Sequence, residues 1–260
     1  MQAGRPHFDG DASTTRFNKM KNEEPFSAPK KTTMTNHGDA RTTEALMLNN
    51  DSASTTRRML VDYLQALTLF LEQPFIAAMN RVIKILSTGR QRGATIYVAG
   101  NGGSASTASH WVNDLGKATK RPNLPPVRVM SLNDNVSWLT ALANDEGYDR
   151  VFSGQLENFA TAGDILIVIS ARGNSPNLVR AVELAQSRGV TTVALLGFDG
   201  GILKDKVDEY LLLPTHKGAY GLVESGHAML CHILTTCLAE IPWNECSIAS
   251  QAPPVDTEVR

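Results

Sequence analysis

The sequence predicts an α/β fold in which a parallel sheet is covered by helices on both faces, with a helical hairpin ahead of the first strand. Three observations carry this. The apolar runs Ala94–Ala99, Val127–Met130, Ile165–Ile169, Thr192–Leu196 and Tyr210–Leu213 have the length and composition of strands. Segments of helical period lie between or after them: one from Ser104, one through Trp138 to Leu142, one over Ser175–Ser187 and a last over Tyr220–Ile241. Two of the runs empty into glycine- and serine-bearing turns of the kind that lead from a strand into a helix.

Residues 1–57 are rich in Thr, Ser, Asn, Asp and Lys and show no sustained period, so they are expected to be mostly disordered. From Met59 the pattern changes. Leu60, Tyr63, Leu64, Leu67 and Leu71, then Ile76, Met79, Val82, Ile83 and Leu86, recur at helical spacing, and Pro74 marks the break of the hairpin. The folded domain is expected over 58–245, followed by a polar tail, 246–260.

Composition excludes several function classes. The net charge is −1, with Lys+Arg 25 against Asp+Glu 26, so no basic footprint argues for nucleic acid. Cys231, Cys237 and Cys246 form no paired-cysteine metal signature, and their odd number favours free thiols in a reducing compartment, with the cytoplasm as the default. No apolar run is expected to reach bilayer length, and nothing near the N-terminus reads as a signal peptide or membrane anchor.

The run Val98-Ala99-Gly100-Asn101-Gly102-Gly103-Ser104 has the form of an anion cradle. A buried strand leads into a turn whose glycines admit close backbone approach, and the helix that follows offers free N–H groups and a partial positive charge. Asn101, Gly102, Gly103 and Ser104 thus suit a phosphate. The third glycine of a dinucleotide fingerprint and the lysine of a P-loop are both missing, so no nucleotide cofactor is expected. A second nest lies at Ile169–Asn177, where Ser170 ends a strand, Ser175 is placed as N-cap and Pro176 as first helical residue. Arg172 in this loop either supplies formal charge to a phosphate or points to solvent. A third glycine-rich loop, Gly197–Gly201, has no hydroxyl and reads as a structural turn.

On the helix after the cradle, Ala105, Ala108, Trp111, Val112 and Leu115 share one face, and His110 and Asp114 sit four apart on the other. On the last helix His232 lies opposite an apolar stripe, near the side that carries Glu224, whereas His227 lies toward the stripe and reads as a satisfied core histidine. The pair His110–Asp114 is either an exposed helix pair or part of a site. With His232 and Glu224 it offers N and O ligands for a divalent metal such as zinc, or an acid/base pair working near neutral pH.

The combination of Gly100–Ser104 with His110 six residues on, Ala143–Tyr148, Ser170–Asn177, and Val223-Glu224 with His227 and His232 resembles the sugar isomerase (SIS) domain family, and within it the phosphoheptose isomerase group. The resemblance covers about Met59 to Ile241. It implies a flavodoxin-like three-layer sandwich with a five-stranded parallel sheet, a homotetramer with sites where subunits meet, and aldose–ketose isomerisation of sedoheptulose 7-phosphate through an enediol. By position it implies Ser104, Ser170 and Ser175 as phosphate ligands and Asp145 as a contact to sugar hydroxyls. Asp114 and His232 fall at the catalytic positions, and His110, Asp114, Glu224 and His232 at those of a zinc site. The chain departs from the pattern in four places. Asp114 stands for a glutamate, Glu224 for a glutamine, Ala171 and Arg172 for hydroxyl residues, and Gly221 for an acidic substrate contact of some isomerases. These departures leave two other readings: a non-catalytic phosphosugar sensor or protein-binding regulator, and an isomerase of a different phosphosugar.

Overall fold

The computed structural model describes residues 41–68 and 73–240. The chain divides into a unit ending at Leu60 and a unit beginning at Val61. Helix α1, Arg41–Thr68, starts in the first unit and continues into the second. Residues 41–57 are therefore helical where the sequence suggested disorder. Their composition lacks an apolar period, but no Gly or Pro interrupts Arg41–Thr68, and once a turn exists each added residue needs only ordinary helix propensity. Residues 1–40, the expected end of the last helix at Ile241, and the tail 246–260 lie outside the described residues.

The second unit continues with α2 (Gln73–Gln91), which carries Pro74 in its first turn, where proline is tolerated. Then follow β1 (Thr95–Gly100), α3 (Gly103–Lys117), β2 (Arg128–Ser131), α4 (Val136–Asp145), a 3₁₀ turn at Tyr148–Arg150 and α5 (Ser153–Phe159). The chain goes on through β3 (Ile165–Ser170), α6 (Pro176–Ser187), β4 (Thr191–Gly197), α7 (Gly201–Lys206), β5 (Glu209–Leu213) and α8 (Tyr220–Glu240). All expected strands are present, within a residue or two of their expected ends. Helices α5 and α7, of 7 and 6 residues, were missed because so few residues display no period.

The strands form one parallel sheet in the order β2-β1-β3-β4-β5. The middle strand β3 is buried at every position, so it reads as a continuous apolar run rather than an alternating one. Each of its aliphatic side chains contributes about 1.5–3 kcal/mol of burial. Successive residues face opposite core layers. Ile165, Ile167 and Ile169 pack with Leu86 of α2, Trp111 of α3 and Leu230 and Leu234 of α8. Leu166 and Val168 pack with Leu142 of α4, Leu156 of α5, Leu178 and Val182 of α6 and Leu203 of α7.

By length and composition α8 is apolar enough to cross a membrane, contrary to expectation. In this fold it is a core helix, with Val223, His227, Leu230, Cys231, Leu234 and Leu238 buried.

The strand order places a topological switch point between β1 and β3, where the crossovers leave in opposite directions and open a crevice at the carboxyl ends of the strands. Gly100 is in register with Ile169, so the two chains leave the sheet at the same level. The two candidate anion loops are the loops at this point.

Candidate active site

Helix α3 begins at Gly103, with Gly102 as N-cap at φ 57°, so Ser104 lies inside the first turn, buried, rather than at the cap. The Glu224 carboxylate of α8 stands against this turn. A Cβ on Gly103 would lie 2.7 Å from its carboxylate atoms, so a side chain there would require the Glu224 carboxylate to shift. The position is chemically apt, because the N-terminus of a helix favours negative charge. The place where the sequence suggested an incoming phosphate thus has one of the protein's own carboxylates beside it.

The two loops are fastened to each other by side-chain amides. Asn101 Nδ2 donates to Asn177 Oδ1 at 3.0 Å and Asn177 Nδ2 donates back to Asn101 Oδ1 at 2.9 Å. The Tyr148 hydroxyl donates to the same Asn101 oxygen at 3.0 Å. From the β2 side, Asn133 accepts from Gly100 N–H at 3.1 Å and donates to its carbonyl at 2.8 Å. In the second loop Ser170 Oγ accepts from Gly173 N–H at 3.0 Å, which curls the chain after β3. Ser175 is the N-cap of α6 with Pro176 following, as expected, and its hydroxyl makes no capping bond. Asp145 ends α4, exposed, and accepts from Asn144 Nδ2 at 2.7 Å. Arg172 is exposed and lines a cavity on the β4 side of the loop.

Two turns along α3 the structure brings His110, Asp114 and His232 together, with one ligand atom from each within 4.8 Å of the others. Asp114 Oδ2 lies 3.3 Å from His110 Nε2 and 3.2 Å from His232 Nδ1. The imidazoles meet edge to face, with ring centroids 5.1 Å apart. The aspartate side chain is 19% exposed, whereas the histidines are 53% and 58% exposed. Beside this group the same two helices are joined in the core, where Trp111 Nε1 donates to Thr235 Oγ1 of α8 at 3.1 Å. Thr235 in turn donates to the Cys231 carbonyl at 2.8 Å.

Chemically the group fits a divalent ion. Bonds of about 2.0–2.2 Å to a tetrahedral ion separate neighbouring ligand atoms by about 3.4 Å, close to both distances at Asp114. Without an ion, the same carboxylate between two imidazoles is a proton-transfer set. Glu224 is not in the group. It precedes His232 by eight residues, about 12 Å along the helix axis.

The neighbouring polar groups of α8 take no part. His227 is buried as expected but is not satisfied: neither ring nitrogen has a hydrogen-bond partner. Burial pushes its pKa down to about 4, against a smaller opposing pull from the Leu196 main chain, so the ring is neutral. Burial, reinforced by the charge of Asp114, pushes the Cys231 thiol far above its usual range, so it is no nucleophile.

Sequence reasoning did not single out Asn133, Asn177, Tyr148 or Thr235 as parts of the site. Asn177 and Tyr148 lie inside motifs already noted, whereas Asn133 and Thr235 carry no local signal, because their partners are 33 and 124 residues away.

A parallel 2-1-3-4-5 sheet with amide-clamped serine loops at its switch point defines a doubly wound α/β domain, and the sequence profile of the SIS domain family matches residues 61–197, just over half of the chain. The chain belongs to the SIS domain family. Among its relatives, a phosphoheptose isomerase of Geobacter sp. strain M21 is 39% identical over 159 residues, covering 60% of this chain and 80% of that protein. A lincomycin biosynthesis protein of Streptomyces lincolnensis is 39% identical over 173 residues, covering 64% of this chain and 62% of its own length. The solved phosphoheptose isomerase of Neisseria gonorrhoeae is 27% identical and superposes with a TM-score of 0.66, covering 73% of this chain and 99% of that one.

Proposed function

We propose that this chain is an aldose–ketose isomerase of a phosphosugar, converting sedoheptulose 7-phosphate to a D-glycero-D-manno-heptose 7-phosphate. The observation that carries the reading is the His110–Asp114–His232 group on the same helix pair as the Gly103 turn, in a chain 39% identical to a phosphoheptose isomerase. From Ser104 to His110 the distance along α3 is about 9 Å. That span suits an open-chain sugar with its phosphate at the Ser104, Ser170 and Ser175 loops and its carbonyl at the histidines.

In this reading the sugar phosphate is held by Ser104, Ser170 and Ser175, with Asn101, Gly102 and Gly103 presenting main chain and Asp145 contacting sugar hydroxyls. Asp114 takes a proton from C1 of the ketose while His232 gives one to the C2 oxygen, forming the enediol. Asp114 then returns its proton to C2 as His232 takes back the proton of the C1 hydroxyl, so protons balance and the aldehyde forms at C1. A divalent ion, for which zinc fits the N and O donors, would be held by His110, Asp114 and His232, while Glu224, beside the α3 N-terminus, lies outside that set; when bound the ion would polarise the carbonyl. The exposed histidine faces, and the exposed Val61, Tyr63 and Leu64 of α1, fit coverage by further copies in a homotetramer. Cys231 and Cys237 are free thiols, in keeping with the cytoplasm.

The test is incubation with sedoheptulose 7-phosphate in D₂O, with and without zinc, followed by NMR of products and of deuterium at C1 and C2. Asp114→Asn and His232→Gln are each expected to lower kcat by about 10²–10⁴-fold. Undiminished turnover in both variants overturns the acid/base assignment, and absence of product and exchange at every zinc level overturns the isomerase. The relative in lincomycin biosynthesis favours a second reading, isomerisation of another phosphosugar, which the same assay separates by substrate.

A further inference from the structure

At the amino ends of the strands, opposite the serine loops, the connection from α3 to β2 runs through Arg121-Pro122-Asn123-Leu124-Pro125-Pro126. It forms an open groove of about 330 Å³ lined by Lys120, Arg121, Pro122, Leu124 and Pro126. Proline rings and a leucine give it an apolar floor, and two cations flank that floor.

The positive charge is unopposed. Lys120 and Arg121 are exposed, and neither forms an ion pair among the described residues. Arg121 Nη1 donates to the Ala118 and Lys120 carbonyls at 3.0 and 2.8 Å, which closes the C-terminus of α3 without meeting a carboxylate. Lys117 before the groove and Arg128 after it are exposed as well and add two more cations. Burial, and then the charge of Arg121, hold the Arg90 guanidinium below its ordinary pKa.

Helix α8 ends beside this groove. The Arg90 guanidinium donates to the Thr119, Pro125 and Leu238 carbonyls, so one side chain joins the residues next to Lys120, Leu124 and Pro126 to the last turn of α8. The helix is described to Glu240, two residues on. The sequence that follows has the matching chemistry. Pro242 cannot continue the helix, and Trp243 and Glu245 come directly after it. Trp243 is five residues from Leu238, a reach of up to about 17 Å. Over 241–260 the carboxylates of Glu245, Asp256 and Glu258 stand against a single base, Arg260.

We infer that the segment 241–245 returns onto this groove, with the Trp243 indole on Pro122, Leu124 and Pro126 and the Glu245 carboxylate at Lys120 and Arg121. The indole supplies a large apolar surface, and the tether to α8 makes the encounter intramolecular, so a small groove suffices. Docked there, the segment covers the junction at which Arg90 joins α2 to α8. The inference stands apart from the isomerase reading, which uses none of these residues.

The test is the fluorescence of Trp243 in the full chain, with each protein compared with its own Trp243→Phe counterpart so that Trp111 and Trp138 cancel. Wild type is expected to show blue-shifted Trp243 emission and weaker acrylamide quenching than N-acetyltryptophanamide. Lys120→Glu combined with Arg121→Glu is expected to raise the quenching severalfold, and adding Glu245→Lys to restore the shielding, because the charges are then exchanged. Quenching in wild type equal to that of N-acetyltryptophanamide overturns the inference. So does shielding that the double charge reversal leaves unchanged, which would seat the indole elsewhere, and so does a failure of Glu245→Lys to restore it. Shielding that is lost on dilution also overturns it, by assigning the groove to a second copy of the chain. Failure of the isomerase assay alters none of these outcomes.

Discussion

His227 concentrates the chemistry of a single residue. It sits on the core face of α8, where helical period puts it, yet its two nitrogens have no partners. A buried polar group left unpaired costs about 1–3 kcal/mol, so His227→Leu is expected to leave stability at pH 7 equal or higher by about that amount, measured by urea unfolding. The pH dependence has a definite sign. With a folded pKa of about 4 against 6.5, the unfolded chain binds the extra proton between those values, so the contribution is fully present above pH 6.5 and is lost as pH falls toward 4. The loss amounts to about 3 kcal/mol at its limit. Wild type should therefore weaken steeply from pH 6.5 to 4, and His227→Leu should flatten that slope; parallel slopes would show that other groups govern acid unfolding.

At the scale of elements the α3–α8 pair decides the candidate site. Helical spacing puts His110 and Asp114 on one face of α3, and the sequence reveals that much. That His232 meets them requires α8 to pack on α3, a contact that includes the bond from Trp111 to Thr235, 124 residues away. Thr235→Val keeps the shape but strands the buried indole N–H, for an expected loss of about 1–3 kcal/mol. If the pairing of the helices positions the group, this variant also lowers zinc affinity, read by competition with a chromophoric chelator; unchanged zinc binding would show that the group is positioned otherwise. Glu224 illustrates the converse. Its side of the helix was legible, but the close approach at Gly103 that draws it toward the α3 N-terminus was not, because it depends on the distance between two helices.

For the molecule as a whole, one buried cation ties three regions together. Arg90, 2% exposed, donates from α2 to the Pro125 carbonyl at 2.6 Å and the Thr119 carbonyl at 2.9 Å, between α3 and β2, and to the Leu238 carbonyl of α8 at 3.4 Å. Arg90→Met fills similar space but leaves these acceptors unmet, so a loss of about 3 kcal/mol or more is expected. Thermal unfolding checks it, with a fall in Tm of several degrees predicted for a unit of this size. A change of a degree or less would show that water replaces the guanidinium. Nothing local marks this arginine, which ends an amphipathic helix as an ordinary C-terminal base would.

The sequence by itself determined the strands, the long helices after Met59, the glycine and serine loops and the helix faces that carry His110, Asp114 and His232. All of these follow from period, propensity and turn chemistry within some ten to twenty residues. It misjudged residues 41–57, whose helix rests on propensity without an apolar period, and it passed over α5 and α7, too short to show one. Only the tertiary structure decided what meets what. The 2-1-3-4-5 order brings the Asn101 and Asn177 loops to one switch point, the packing of α8 on α3 assembles the His-Asp-His group, and Gly173 meets Gly200 where the loops after β3 and β4 touch. The physical reason is common to all three: these contacts join residues far apart in sequence, and packing between elements, to which no local pattern is sensitive, sets their distances.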